Sequence, residues 1–192
     1  MEKYLYLTKE EWVHTWTQGG VVPLQSASNY QSYVRHRTHT PDEGLDRSLR
    51  GLSESELNHL VRADRRSTVD IRIGTCIING RKSENVRYHQ RPINALVWCL
   101  CNSKSEEIAK RLGKMACVRI PDVGKLKSIF DRQLGTVGTG RPCAYTRSVD
   151  RNHFLKGEDD SWQDEFRVLW NIPGPKYVIV PQGMAERVSI FE

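Results

Sequence analysis

A chain of 192 residues with 38% hydrophobic and 27% charged residues has the size and composition of one ordinary globular domain, spanning residues 1–192. No stretch approaches the roughly 18 consecutive apolar residues of a membrane helix, and residues 1–12 lack the apolar core of a signal peptide, so a cytoplasmic protein is the expectation. The net charge of +6 is unevenly spread: from Arg35 to Arg91 there are 12 basic residues, 11 of them Arg, against 8 acidic ones. Arginine's planar fork favours phosphate and carboxylate groups, which points to RNA, DNA or a phosphate-bearing cofactor, with a solvated basic surface as the alternative.

The first elements read as strand, helix, strand. Tyr4 to Leu7 is β-prone, Thr8-Lys9-Glu10-Glu11 has the pattern of a capping box, and the helix it opens runs to about Gln18, where Gly19-Gly20 stops it. Trp12 and Trp16, four residues apart, are expected in the core on one helix face. Val21 to Leu24 resumes as strand. From Ser26 to Gly51 no apolar period is sustained, and a loop of that length in a small domain suggests a ligand-contacting region. Ser53-Glu54-Ser55-Glu56 then starts a second capped helix carrying Leu57, Leu60 and Val61.

Val69, Ile71 and Ile73 alternate with polar residues, and Asn79-Gly80 is a strong two-residue hairpin signal, so two antiparallel strands should meet there. Ala95 to Cys101 is a continuous apolar strand. Ser103-Lys104-Ser105-Glu106 caps a short helix ending near Gly113, and Met115 to Ile120 is strand again. Asp122 caps a helix with Val123, Leu126, Ile129 and Phe130 on one face. The Gly-Thr-Val-Gly-Thr-Gly-Arg run from Gly135 to Arg141 lacks the Gly-Lys-Ser/Thr and following helix of a phosphate loop and reads as a mobile linker. Three strands close the chain: Glu165 to Trp170, Lys176 to Val180 and Arg187 to Phe191. Strands segregated from short helices predict an α+β fold.

Five cysteines (Cys76, Cys99, Cys101, Cys117, Cys143) include no CxxC pair, and three lie in apolar runs; they read as reduced structural thiols, with no metal site expected. The richest stretch for chemistry is Glu158 to Arg167. On an extended backbone Gln163 and Glu165 project to the same side, placing an amide beside a carboxylate. A carboxylate can bind a ribose hydroxyl and stabilise an oxocarbenium-like centre, while an amide can orient a nucleophile. The plainer alternative pairs Glu165 with a lysine or arginine across the sheet. His36 and His39, in Arg35-His36-Arg37-Thr38-His39, offer a base or phosphate contact but have no accompanying triad spacing.

The order of these elements resembles the ADP-ribosyltransferase fold, with its first strand and helix, a Ser-bearing second strand and a late Gln/Glu-x-Glu motif around a split antiparallel sheet. Gln163-Asp164-Glu165-Phe166-Arg167 also looks like the late Glu-x-Glu-aromatic-Arg motif of ART-like bacterial and phage-defence proteins. The resemblance spans most of the chain through short motifs. It implies an α+β, ART-like split and mostly antiparallel sheet with short flanking helices, and NAD as substrate. Glu165 would be the catalytic glutamate at the nicotinamide ribose, and Gln163 would position the acceptor, flanked by Trp162 and Arg167. Ser26-Ala27-Ser28 resembles the Ser-Thr-Ser motif, so Ser26 and Ser28 would support the NAD site, with Tyr30 stacking on nicotinamide. The family's first-strand Arg or His is missing here, Leu7 standing near that position, so Tyr6 and Thr8, or Arg35 or Arg37, would take over its ribose and phosphate contacts.

The function this implies is transfer of ADP-ribose to a nucleic-acid base or a protein side chain by a small toxin or anti-phage effector, with an antitoxin or other regulatory protein as a further partner. Two alternatives make no use of NAD: a non-catalytic nucleic-acid-binding protein using the arginine-rich region, and a nuclease using Glu165 with His36 or His39.

Overall fold

The computed structural model of the protein describes residues 1–27, 69–78, 80–90, 95–147 and 153–191. In chain order the elements are β1 (Lys3–Leu7), α1 (Trp12–Thr17), β2 (Gly20–Ser26), β3 (Val69–Ile78), β4 (Arg81–Gln90), β5 (Leu96–Cys101), α2 (Glu106–Leu112), β6 (Ala116–Ile120) and α3 (Val123–Leu134). They continue with β7 (Thr139–Pro142), β8 (Ala144–Thr146), β9 (Leu155–Gly157), a 3-10 helix (Glu158–Gln163), β10 (Glu165–Trp170), β11 (Lys176–Val180) and β12 (Glu186–Val188). The fold is α+β, with a mostly antiparallel sheet and short helices.

The sheet is assembled on β5. Its apolar sequence, Leu-Val-Trp-Cys-Leu-Cys, suits a strand covered on both faces, and only Cys99 is less than fully buried. One edge of β5 pairs with β10 over six residues, from Leu96↔Trp170 to Cys101↔Glu165. The other edge is shared: β2 takes one end through Gln25↔Val97 and Ser26↔Leu96, and β1 takes the other through Tyr4↔Cys101. The sheet therefore forks along β5, with β2–β11 on one branch and β1–β6–β12 on the other. β7 continues the sheet beyond β10.

Alternation along the strands assigns the two faces. Leu96, Trp98 and Leu100, with Phe166, Val168 and Trp170, form the main core, which α1 covers with Val13 and Trp16 and α3 with Val123, Leu126 and Phe130. The Trp16 and Trp98 rings stack at 6.0 Å, and Phe130 packs against Trp98 at 5.2 Å. The second face carries Tyr6, Cys101 and Cys117 under Ile108 and Ala109 of α2.

Side-chain caps fix both longer helices. Asp122 accepts from the N–H of Lys125, and Ser105, two residues beyond the expected Ser103, accepts from that of Ile108. At α1 the expected capping box is not used: Glu11 is the N-cap without a side-chain bond, and the Thr8 hydroxyl instead accepts from Lys114 Nζ at 2.8 Å. Trp12 likewise departs from expectation. It is 44% exposed beneath Lys9, because so short a helix has one buried stripe and Val13 and Trp16 occupy it. Gly19, at φ +89°, ends α1 as expected.

The two antiparallel strands expected to either side of Asn79-Gly80 are present as β3 and β4. The connection expected to be mobile after α3 is instead strand β7 from Thr139 onward, recruited by the free edge of β10. The last strand covers only Glu186–Val188. The irregular segment Ser28 to Gly51 and the capped helix at Ser53 lie outside the described residues. β11 is bordered by Gln133 of α3, whose amide accepts from the Ile179 N–H at 2.7 Å and donates to the Ile179 carbonyl at 2.8 Å. Among the described residues no helix is long and apolar enough to cross a membrane.

Asp131 joins α3 to the sheet. Its carboxylate accepts from Trp170 Nε1 at 2.6 Å, the Gly138 N–H at 3.0 Å and Lys127 Nζ at 2.6 Å. A Cβ at Gly138 would lie 2.6 Å from Trp170 Nε1 and 2.7 Å from Cε2, and the indole is fully buried. Gly138→Ala should therefore destabilise the protein by about 1–3 kcal/mol through overpacking against Trp170. Urea unfolding of the variant checks this, with an unchanged midpoint as the contrary result.

Candidate functional site

The second face holds a cluster of buried charge. Glu165 begins β10 and is 5% exposed; Arg167, two residues on and on the same face, is 1% exposed, and Lys156 of β9 is 2% exposed. The Arg167 guanidinium donates to both oxygens of Glu165, at 2.8 and 3.1 Å, and its third contact goes to the His153 carbonyl at 2.7 Å. Lys156 Nζ donates to Glu165 Oε2 at 2.9 Å and also to Gln163 Oε1. One carboxylate is thus held between two cations. Ions this deep persist only where pairing and hydrogen bonds offset lost hydration.

Chain geometry brings the four side chains together. Gln163 ends the 3-10 helix and Glu165 begins a strand; Asp164 between them is left-handed at φ 43°. That residue is pinned by neighbours on the β5–α2 connection: its side chain accepts from Asn102 Nδ2 at 2.8 Å and Ser103 Oγ at 2.8 Å, and its carbonyl accepts from the Asn102 N–H at 2.8 Å. The expectation that Gln163 and Glu165 meet by extended-chain alternation is therefore corrected: they meet because both are bonded to Lys156. β8 and β9 pair in parallel with Tyr145 beside Lys156, and both residues reach Glu165. Tyr145 Oη accepts from the Glu165 N–H at 2.9 Å, and the Cys143 N–H donates to the Glu165 carbonyl at 2.8 Å.

The electrostatics follow from that geometry. Burial pushes the Glu165 carboxyl up, but the charges and hydrogen bonds of Arg167 and Lys156 outweigh it and hold the group at about 2, so it is ionised across the physiological range. Burial raises the Tyr145 phenol and the Cys101 thiol, keeping both neutral. The Gln163 amide is oriented by its partners, with Oε1 toward Lys156 and Nε2 donating to Asp160 Oδ1 at 3.0 Å. Trp162 is half-buried with the Arg111 guanidinium 3.9 Å above its ring.

Gln163, Glu165 and Arg167 are thus brought together, with Trp162 next in sequence on the adjoining helix. Tyr6 lies on the same face two strands away, but its hydroxyl anchors α2, accepting from the Ser105 N–H at 2.7 Å within donor reach of the Ser103 and Ser105 carbonyls. Thr8 is exposed and bonded to Lys114. Ser26 is separated from the cluster: it pairs with Leu96 while Glu165 pairs with Cys101, five residues along β5, which is about 17 Å of strand and the opposite face of the sheet. Ser26 is buried in the main core side near Gly174. Ser28, Tyr30, Arg35 and Arg37 lie outside the described residues, as do His36 and His39.

Lys156 was not singled out by sequence, and little in the sequence marks it. Its neighbours Phe154 and Leu155 make a short apolar run, and a lysine there reads as a surface residue until the fold closes over it. Among the described residues no group of three or more His, Cys, Asp or Glu is placed to hold a metal ion, and Cys99, Cys101, Cys117 and Cys143 form no disulfide. Comparison of the chain with protein families, curated proteins and solved structures finds no match.

Removing the carboxylate leaves two buried cations facing each other, so Glu165→Gln should cost about 3–5 kcal/mol of stability at neutral pH. The folded-state pKa of Glu165 lies below its ordinary 4.5, so its contribution is complete above 4.5 and lost as the pH falls toward 2. Denaturant unfolding of parent and variant should show their stabilities converging over that interval, whereas a constant difference would mean that the carboxylate is not held ionised.

Proposed function

We propose that the chain is an NAD-consuming ADP-ribosyltransferase whose reacting centre lies on the second face of the sheet at Glu165. The observation that carries this reading is an ionised carboxylate, Glu165, bonded to the same lysine as an oriented amide, Gln163, where one branch of a forked antiparallel sheet joins its central strand. In the reaction, the bond between C1′ of the nicotinamide ribose and the nicotinamide nitrogen breaks, both electrons leaving with neutral nicotinamide. A lone pair of the acceptor then bonds C1′, and the acceptor gives up a proton. A fixed carboxylate lowers the energy of the cationic ribose between these steps without having to reorganise. Lys156 and Arg167 keep Glu165 charged and in place, and Lys156 with Asp160 fixes the direction of the Gln163 amide. The acceptor is a nucleic-acid base or a protein side chain, and a small enzyme needing only NAD suits a toxin or anti-phage effector.

The double pairing of Glu165 also favours a second reading, in which Lys156, Glu165 and Arg167 form a structural cluster and the protein binds nucleic acid without chemistry. Nicotinamide release from NAD, followed chromatographically with and without added RNA or DNA, separates the two. The parent should turn over, and Glu165→Gln, assayed below its own melting temperature, should lose on the order of a hundredfold in rate. Gln163→Leu, which removes no charge, serves if that variant does not fold. Absence of nicotinamide from the parent overturns the transferase reading, and undiminished turnover in folded Glu165→Gln removes Glu165 from its role.

A further inference from the structure

Among the described residues, Glu165 has an unspent acceptor position on its side chain and an unspent donor bonded to its backbone. A carboxylate offers about four acceptor positions. Oε2 of Glu165 accepts from Arg167 Nη2 and Lys156 Nζ, whereas Oε1 accepts from Arg167 Nε alone, so a position on Oε1 is left over. The donor is Tyr145. Its Oη accepts the Glu165 N–H at 2.9 Å, burial keeps the phenol protonated, and its own O–H has no acceptor among the described residues. Tyr6, on the same face, differs in having the Ser103 and Ser105 carbonyls within reach of its proton.

Access singles out the same residue. Lys156, Gln163, Glu165 and Arg167 are all buried, whereas Tyr145 on β8 is only half-buried, the most open of the five side chains. A ligand that fills both positions brings a donor for Oε1 and an acceptor for Tyr145 on neighbouring atoms. The vicinal hydroxyls of a ribose do so, since each hydroxyl donates and accepts. With Glu165 acting at C1′ of the nicotinamide ribose, the 2′ hydroxyl falls to its carboxylate, and the 3′ hydroxyl, one carbon further on, falls to the phenol.

We propose that Tyr145 is a substrate-binding residue whose hydroxyl donates to the 3′ hydroxyl of the nicotinamide ribose. The inference rests on the transferase reading and adds a residue to it. Because the 3′ oxygen is remote from the bond that breaks, the contact is the same before and during reaction and acts on KM rather than kcat. Nicotinamide release is to be measured for the parent and Tyr145→Phe with NAD and with analogues lacking the 2′ or the 3′ hydroxyl of that ribose. Tyr145→Phe should raise KM for NAD about three- to tenfold, the worth of one neutral hydrogen bond, with kcat nearly unchanged. It should cost the same factor with the 2′-deoxy analogue and nothing further with the 3′-deoxy analogue, since a contact already lost cannot be lost twice. Thermal melting checks that the variant folds. If it does not, 3-fluorotyrosine in place of Tyr145, which keeps ring and hydroxyl but strengthens the donor, should change KM for NAD and leave that for the 3′-deoxy analogue as it was. A fall in kcat at unchanged KM would mean that the phenol acts only through the Glu165 N–H, and an equal penalty with NAD and the 3′-deoxy analogue would mean that it does not touch that hydroxyl; either result overturns the assignment, as does a variant kinetically identical to the parent. Absence of nicotinamide release by the parent is a separate result, which removes the transferase reading and this assignment with it.

Discussion

The six-residue ladder between β5 and β10 determines what each face of the sheet can be. Because side chains alternate, one register places Leu96, Trp98 and Leu100 with Phe166, Val168 and Trp170 on one side, and Cys99 and Cys101 with Arg167 and Glu165 on the other. A slip of one residue would drive Arg167 and Glu165 into the aromatic core and expose Trp170. The tryptophans and the ion cluster therefore enforce the same register from opposite sides. The fork on the far edge of β5 depends on that strand too, since β1 and β2 each hold only one of its ends.

The two faces are stabilised by different physics. The core side is close-packed aromatic and aliphatic surface, reinforced by a polar anchor at Asp131. The other side adds to the apolar cluster under α2 a set of polar contacts that must be complete: two cations, one carboxylate and an amide, each with partners inside the protein. Such networks specify geometry strongly, because losing one member leaves the others buried without compensation.

Much of the fold was legible in sequence, because apolar runs and period-two alternation mark β1, β2, β5, β6, β10 and β11, and Asp122 announces α3. Less legible were features that depend on neighbours distant in sequence. Thr8 has the form of a cap, yet a lysine more than a hundred positions away takes its hydroxyl. The Gly-Thr run becomes a strand only because β10 offers it an edge. At the candidate site, the proximity of Gln163 and Glu165 was readable from their spacing, but its cause was not: it needs the left-handed Asp164 and the buried Lys156. The separation of Ser26 from Glu165 is equally invisible until both strands are registered on β5.

The Gln133 amide on β11 has a further consequence. A sheet's outer strand normally presents bare N–H and C=O groups on which another chain can continue the ladder. Here the neighbouring exposed residues Val21, Tyr177 and Ile179 would make such growth favourable. The glutamine side chain carries the same donor and acceptor as a peptide unit and sits where the next strand would begin, satisfying both groups of Ile179. Among the described residues, one side chain from a helix thus takes the place of the next strand at Ile179 and interrupts the ladder on which another chain could grow.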